Sequence, residues 1–125
     1  MHQPVISIVP QRHKRDCAIC CLAMLAGVSY EEALLACGRV FDVGMTTRQI
    51  MRAGAKLGLV LTVKRAIDLE NDTGLLAVRS GKWPQDHLVV LKDGLVFDPD
   101  ATVWDADVFL SAYDAKALSL LTVVG

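Results

Sequence analysis

Apolar positions in the first half of the chain recur at helical spacing, whereas those in the second half fall in short runs between turn residues. The stretch Cys17–Ala26 is apolar nearly all round, which predicts a helix buried on most sides. Asp16 stands as its N-cap and Gly27 as its stop. Ser29-Tyr30-Glu31-Glu32 reads as a capping box that opens a second helix to about Cys37, closed by Gly38. Thr46 or Thr47 caps a third, with Ile50, Met51, Ala55 and Leu57 as its apolar positions before Gly58. The period then changes. Residues 59–64, 75–79, 87–92, 95–98 and 118–124 predict strands rich in Val and Leu. Residues 5–9 predict one more short strand ended by Pro10, and residues 105–113 one more short helix. Helices first and antiparallel strands afterwards make an α+β domain. No linker-like stretch or internal repeat divides it, so residues 1–125 are expected to form a single domain.

Composition narrows the class. With 53% hydrophobic and 22% charged residues, the chain buries a core and is not intrinsically disordered. A net charge of −1 gives no global attraction to nucleic acid or anionic membrane. The one basic run, Arg12-His13-Lys14-Arg15, reads as a solvated loop, placed where it can favour acidic residues of a substrate. The longest apolar run, residues 17–28, falls short of the roughly 20 residues a membrane helix needs. It begins too late for a signal sequence and has no small-residue cleavage site. A soluble, cytoplasmic protein without a membrane span is the expectation. The cysteines (Cys17, Cys20, Cys21, Cys37) crowd into the first third of the chain, which suits free thiols in a reducing compartment better than a disulfide scaffold.

The sharpest local signal is a hairpin. Asp93-Gly94 between two apolar runs is a two-residue turn, which pairs Lys92 with Leu95, Val89 with Asp98 and His87 with Asp100. His87 and Asp98 then project from one face as diagonal neighbours, with Cα atoms roughly 7–8 Å apart, within reach of an imidazole–carboxylate hydrogen bond. Asp100 is the competing partner, but Pro99 ends the strand ahead of it. A three-residue loop would turn Asp98 to the other face.

Cys17 falls in the first turn of the buried helix, where unpaired N–H groups and the helix dipole favour a thiolate. The negative charge of Asp16 opposes this, and a His87 cation offsets it. The Cys17 N–H can also face an oxyanion, with the Gln11 amide as second donor. Nucleophilic thiol, histidine base, orienting aspartate and two oxyanion donors make a complete acyl-transfer set. Cys20, Cys21 and Cys37 read instead as small buried hydrophobes.

Gln11, Asp16-Cys17, Leu22-Ala23-Met24, His87-Leu-Val-Val-Leu and Asp98-Pro99, in that order, resemble the papain-fold peptidases that process double-glycine leader peptides. Those peptidases usually form the N-terminal domain of bacteriocin-exporting ABC transporters, and the resemblance spans nearly the whole chain. It implies Cys17 as nucleophile, His87 as general base and acid, Asp98 as holder of the imidazole tautomer and Gln11 as oxyanion donor, with no cofactor. It also implies a buried central helix between helices and an antiparallel sheet. Two departures stand out. Ala18 follows the nucleophile where the family commonly has Gly, and no transporter sequence follows, so the chain is read as a stand-alone domain without an assumed double-glycine preference.

Three other readings compete. A zinc site from His13, Cys17, Cys20 or Cys21, and Cys37 lacks a second tight ligand pair. A thioredoxin-like role for Cys17-x-x-Cys20 requires a βαβ unit that the antiparallel half does not supply. A non-catalytic peptide-binding or inhibitory module on the same fold is the strongest rival. The sequence therefore points to a cysteine peptidase acting on a peptide or protein, with no nucleic-acid partner and with substrate and oligomeric state left open.

Overall fold

A computed structural model describes residues 6–39 and 44–124. The chain runs α1 (Cys17–Ala26), α2 (Tyr30–Cys37), α3 (Thr47–Lys56), β1 (Leu61–Lys64), β2 (Gly74–Arg79), β3 (His87–Lys92), β4 (Leu95–Asp98), β5 (Thr102–Asp105), α4 (Ala106–Ala112) and β6 (Lys116–Val123). The strands form one antiparallel sheet in the order β1-β6-β2-β3-β4-β5.

Strand alternation sorts the core into two layers. Leu75, Leu88, Val90 and Leu121 face α1, α2 and α3, while Leu76, Val78, Val89, Leu91 and Leu120 face Phe109 of α4. The central strands are thus buried on both sides, which is why β3 reads as a near-continuous apolar run. Helix α1 is enclosed, with every residue from Ala18 to Met24 buried. Its apolar circumference requires that.

Local chemistry accounts for most boundaries. Gly27 closes α1 in the left-handed region at φ 70°, and the Ser29 hydroxyl accepts the Glu32 N–H at the start of α2. Thr46 caps α3 through a reciprocal bond with Gln49, the capping box that resolves the choice between Thr46 and Thr47. Asp93 and Gly94, with φ of 53° and 77°, form the two-residue turn that pairs Lys92 with Leu95 and Val90 with Phe97.

Four expectations need correction. Residues 6–9, the described part of the strand expected over 5–9, join no ladder; Ile6, Ile8 and Val9 lay their side chains on the core instead. Strand β5 was not anticipated, because 102–105 is short, follows a Pro-Asp turn and has only half-buried or exposed positions. Ala55 is exposed, and Ala53 and Gly54 take its place on the inner face of α3. Asp16 precedes α1 but makes no side-chain cap bond to it; its carboxylate is used elsewhere, as shown below.

Gly74 lies hard against the backbone of β6. A Cβ there would lie 2.1 Å from the Leu121 carbonyl oxygen of β6. Gly74→Ala is therefore expected to destabilise the protein by about 1–3 kcal/mol in urea denaturation. Gly81→Ala, where a Cβ meets nothing within 4 Å, should change stability by no more than about 0.5 kcal/mol. Equal midpoints for the two variants would contradict this packing.

Candidate active site

His87 is the first residue of β3, and Asp98 the last of β4. The hairpin register brings them together: His87 Nε2 lies 3.0 Å from Asp98 Oδ1. Asp98 is almost fully buried and its Oδ1 also accepts the Asp100 N–H at 3.1 Å. The Asp100 carboxylate turns away and takes the N–H of Thr102 at 3.0 Å, so it does not compete for the imidazole.

A residue that opens a strand can reach past the end of the sheet, and His87 touches both sides of it. On the α4 side the Trp83 indole packs on the imidazole at 5.2 Å between ring centres, backed by Phe109 and Tyr113. On the α1 side the Cys17 thiol is its hydrogen-bond partner. Nε2 is engaged by Asp98, which leaves Nδ1 for the sulfur. Burial pulls the imidazole pKa down, but the hydrogen bonds and negative charge of Asp98 and Cys17 outweigh it, and the group stands at about 9 against an ordinary 6.5.

Helix α1 sets the position of Cys17. One turn further on, the Cys21 thiol donates to the Leu88 carbonyl at 3.2 Å. Residues four apart share a helix face, so the contact that seats Cys21 on β3 also brings Cys17 to the start of that strand. Only its spacing from Cys17 could have signalled this role of Cys21. Cys17 is half-buried and lines a cleft of about 360 Å³ together with His87, Ala18, Met45, Ile50 and Leu75. The other thiols are held protonated by burial, Cys20 up to about 12 and Cys37 up to about 11, with Cys21 well above the ordinary range.

The loop before α1 is built around the buried Asp16 carboxylate. Oδ2 accepts the N–H groups of Arg12 and His13 at 3.0 and 3.1 Å and the Tyr30 hydroxyl at 2.9 Å. Arg12 lies over the Tyr30 ring at 4.2 Å and pairs with Glu31 at 2.7 Å. The Gln11 N–H donates to the Pro99 carbonyl at 2.8 Å, which ties this loop to the turn that follows Asp98. The Gln11 side-chain amide, however, donates to the His13 carbonyl at 3.3 Å. Gln11 lines a basic depression beside the cleft rather than the cleft itself. Cys17, His87 and Asp98 thus converge, and Gln11 adjoins them with its amide turned outward.

No group of three His, Cys, Asp or Glu side chains among the described residues is placed to hold a metal ion. His13, Cys17, Cys20, Cys21 and Cys37 therefore do not form the zinc cluster considered above.

No protein-family model matches the sequence, and no curated protein matches it. Among solved structures, the chain is similar to the peptidase domain of Streptococcus ComA, a bi-functional ABC transporter involved in a quorum-sensing pathway. The TM-score is 0.62 at 22% identity, over 94% of this chain and 100% of that one. The fold is thus the α+β, papain-like fold of a peptidase domain.

The His87 environment has a measurable signature. The folded protein holds the imidazole proton more tightly than the unfolded chain, so its stabilising effect is complete below pH 6.5 and is lost as pH rises through about 9. The His87 ring protons should accordingly titrate near pH 9 in an NMR experiment, and Asp98→Asn should move that midpoint down. A wild-type midpoint at the ordinary 6.5 would show that the pairing does not form.

Proposed function

We propose that this protein is a cysteine peptidase that cleaves a peptide bond in a peptide or protein. The observation that carries the proposal is the His87 imidazole held between the Asp98 carboxylate and the Cys17 thiol. The peptidase-domain fold supports it.

In the mechanism, His87 Nδ1 takes the Cys17 proton, giving a thiolate–imidazolium pair. The thiolate attacks the scissile carbonyl, and the Cys17 N–H at the head of α1 receives the oxyanion. Gln11 becomes the second donor when its amide leaves the His13 carbonyl. Collapse breaks the C–N bond, and His87 delivers the proton to the leaving amine. Water, deprotonated by His87, then attacks the thioester and releases the acid product and free thiol. An amine in place of water gives transpeptidation with the same residues. Asp98 fixes the tautomer and stabilises the imidazolium throughout.

Ala18 lines the cleft directly after the nucleophile, so a methyl group flanks the approach to the sulfur. The apolar lining from Met45, Ile50, Leu75 and Leu121 accepts aliphatic substrate side chains. A reducing compartment, the cytoplasm, belongs to the same proposal because the chemistry requires a free thiol. One observation favours the rival module that binds peptides without turnover: the Gln11 amide is bonded within its own loop.

An electrophilic thiol probe separates the two. A peptidase should alkylate at Cys17 at least about 100-fold faster than at Cys20, Cys21 or Cys37, and His87→Ala should remove most of that advantage. Cys17→Ala should abolish cleavage of a peptide library read by mass spectrometry. Comparable labelling of all the thiols, with no cleavage, would establish the binding module instead.

A further inference from the structure

The depression beside the cleft is lined by Gln11, the basic run Arg12–Arg15, Pro84 and Gln85, and is broadly open to solvent. No acidic side chain lines it. Arg12 is already paired with Glu31, but His13, Lys14 and Arg15 are exposed and make no ion pair among the described residues. Arg15 and Gln85, bonded at 2.6 Å, line both the depression and the cleft, so the two recesses meet at that bond. The proposed nucleophile lies in one recess and the proposed second oxyanion donor in the other. A substrate carbonyl served by both must sit at their junction, with one flank of the peptide in the apolar cleft and the other in the basic depression.

We propose that the basic depression is a subsite for acidic side chains on one flank of the cleaved bond. The substrate class is then a peptide with aliphatic residues on one side of the scissile bond and Asp or Glu on the other. This rests on the peptidase reading. Lys14 and Arg15, which have no acidic partner among the described residues, present a positive face to that flank although the chain as a whole is nearly neutral. Lys14 and Arg15 supply charge through exposed side chains, and Asp16 secures the loop from beneath through the backbone N–H groups of Arg12 and His13.

A positional-scanning peptide library digested by the wild-type protein should show Glu enriched over Gln on one flank only. The preference should be about tenfold in kcat/KM for two Glu residues and should weaken with added salt. The double variant His13→Glu, Lys14→Glu should reverse it to favour Lys on that flank. Cleavage that is indifferent to charge on both flanks would overturn the subsite and leave the peptidase reading intact. Should no peptide be cleaved, the Cys17→Ala protein decides by fluorescence anisotropy with fluoresceinated decapeptides carrying three Glu or three Gln. Tighter binding of the Glu peptide, lost in the double variant, supports the subsite even then. Equal binding of the two, or displacement of the Glu peptide by a single-stranded oligonucleotide at lower concentration than by unlabelled Glu peptide, refutes it.

Discussion

The seating of α1 on β3 is the constraint from which the rest of the site follows. A helix with no polar face cannot remain at the surface, so it is driven between the sheet and the other two N-terminal helices. Only its ends are then free for polar chemistry. The Cys21–Leu88 contact fixes how far the helix slides along the strand, and a single turn of α1 separates that contact from Cys17. A thiol at the head of the helix is thereby brought to the one histidine that begins the adjoining strand. The same burial that places Cys17 keeps Cys20 and Cys21 out of solvent.

Two buried carboxylates divide the electrostatic work. Asp98 directs its charge at the imidazole and sits where the β-hairpin register delivers it. Asp16 directs its charge at two backbone N–H groups and a phenol, and so folds the loop from residue 11 to residue 16 into a fixed shape. Both obey the rule that a buried carboxylate needs hydrogen-bonded compensation. Asp16 meets it on one oxygen only, since Oδ1 is buried without a partner. The loop it organises carries both Gln11 and the basic run, so a carboxylate one residue from Cys17 governs the surroundings of the thiol chiefly through the backbone.

How much of this was legible in the sequence depends on the range of the forces involved. The hairpin could be read because Asp-Gly fixes a two-residue turn and strand alternation then fixes which side chains share a face; the His87–Asp98 contact needs no information beyond those residues. The helix ends could be read for the same reason, since caps and stops are local. Asp16 does stand at the N-cap of α1, but its side chain makes no cap bond because its partners include Tyr30, fourteen residues away, and only the folded arrangement of α1 against α2 brings the phenol within reach. Strand β5 was missed because it earns its place by pairing with β4 rather than by its own pattern of burial. The Gln11 rotamer was illegible in principle, being a choice between a carbonyl in its own loop and a substrate that only binding would introduce.

The four thiols differ in their surroundings, not in any special property of sulfur. Burial raises the pKa of Cys20, Cys21 and Cys37, because removing a thiolate from water is costly. Two of them are further constrained: Cys21 is bonded to a carbonyl, and Cys20 faces the negative charge of Asp16. Cys17 alone of the four has both an opening to the cleft and an imidazole as its hydrogen-bond partner. On the peptidase reading, reactivity at one position therefore comes from where the fold ends the helix. A substitution that shifts α1 along β3 would weaken that site even if it touched neither the sulfur nor the ring.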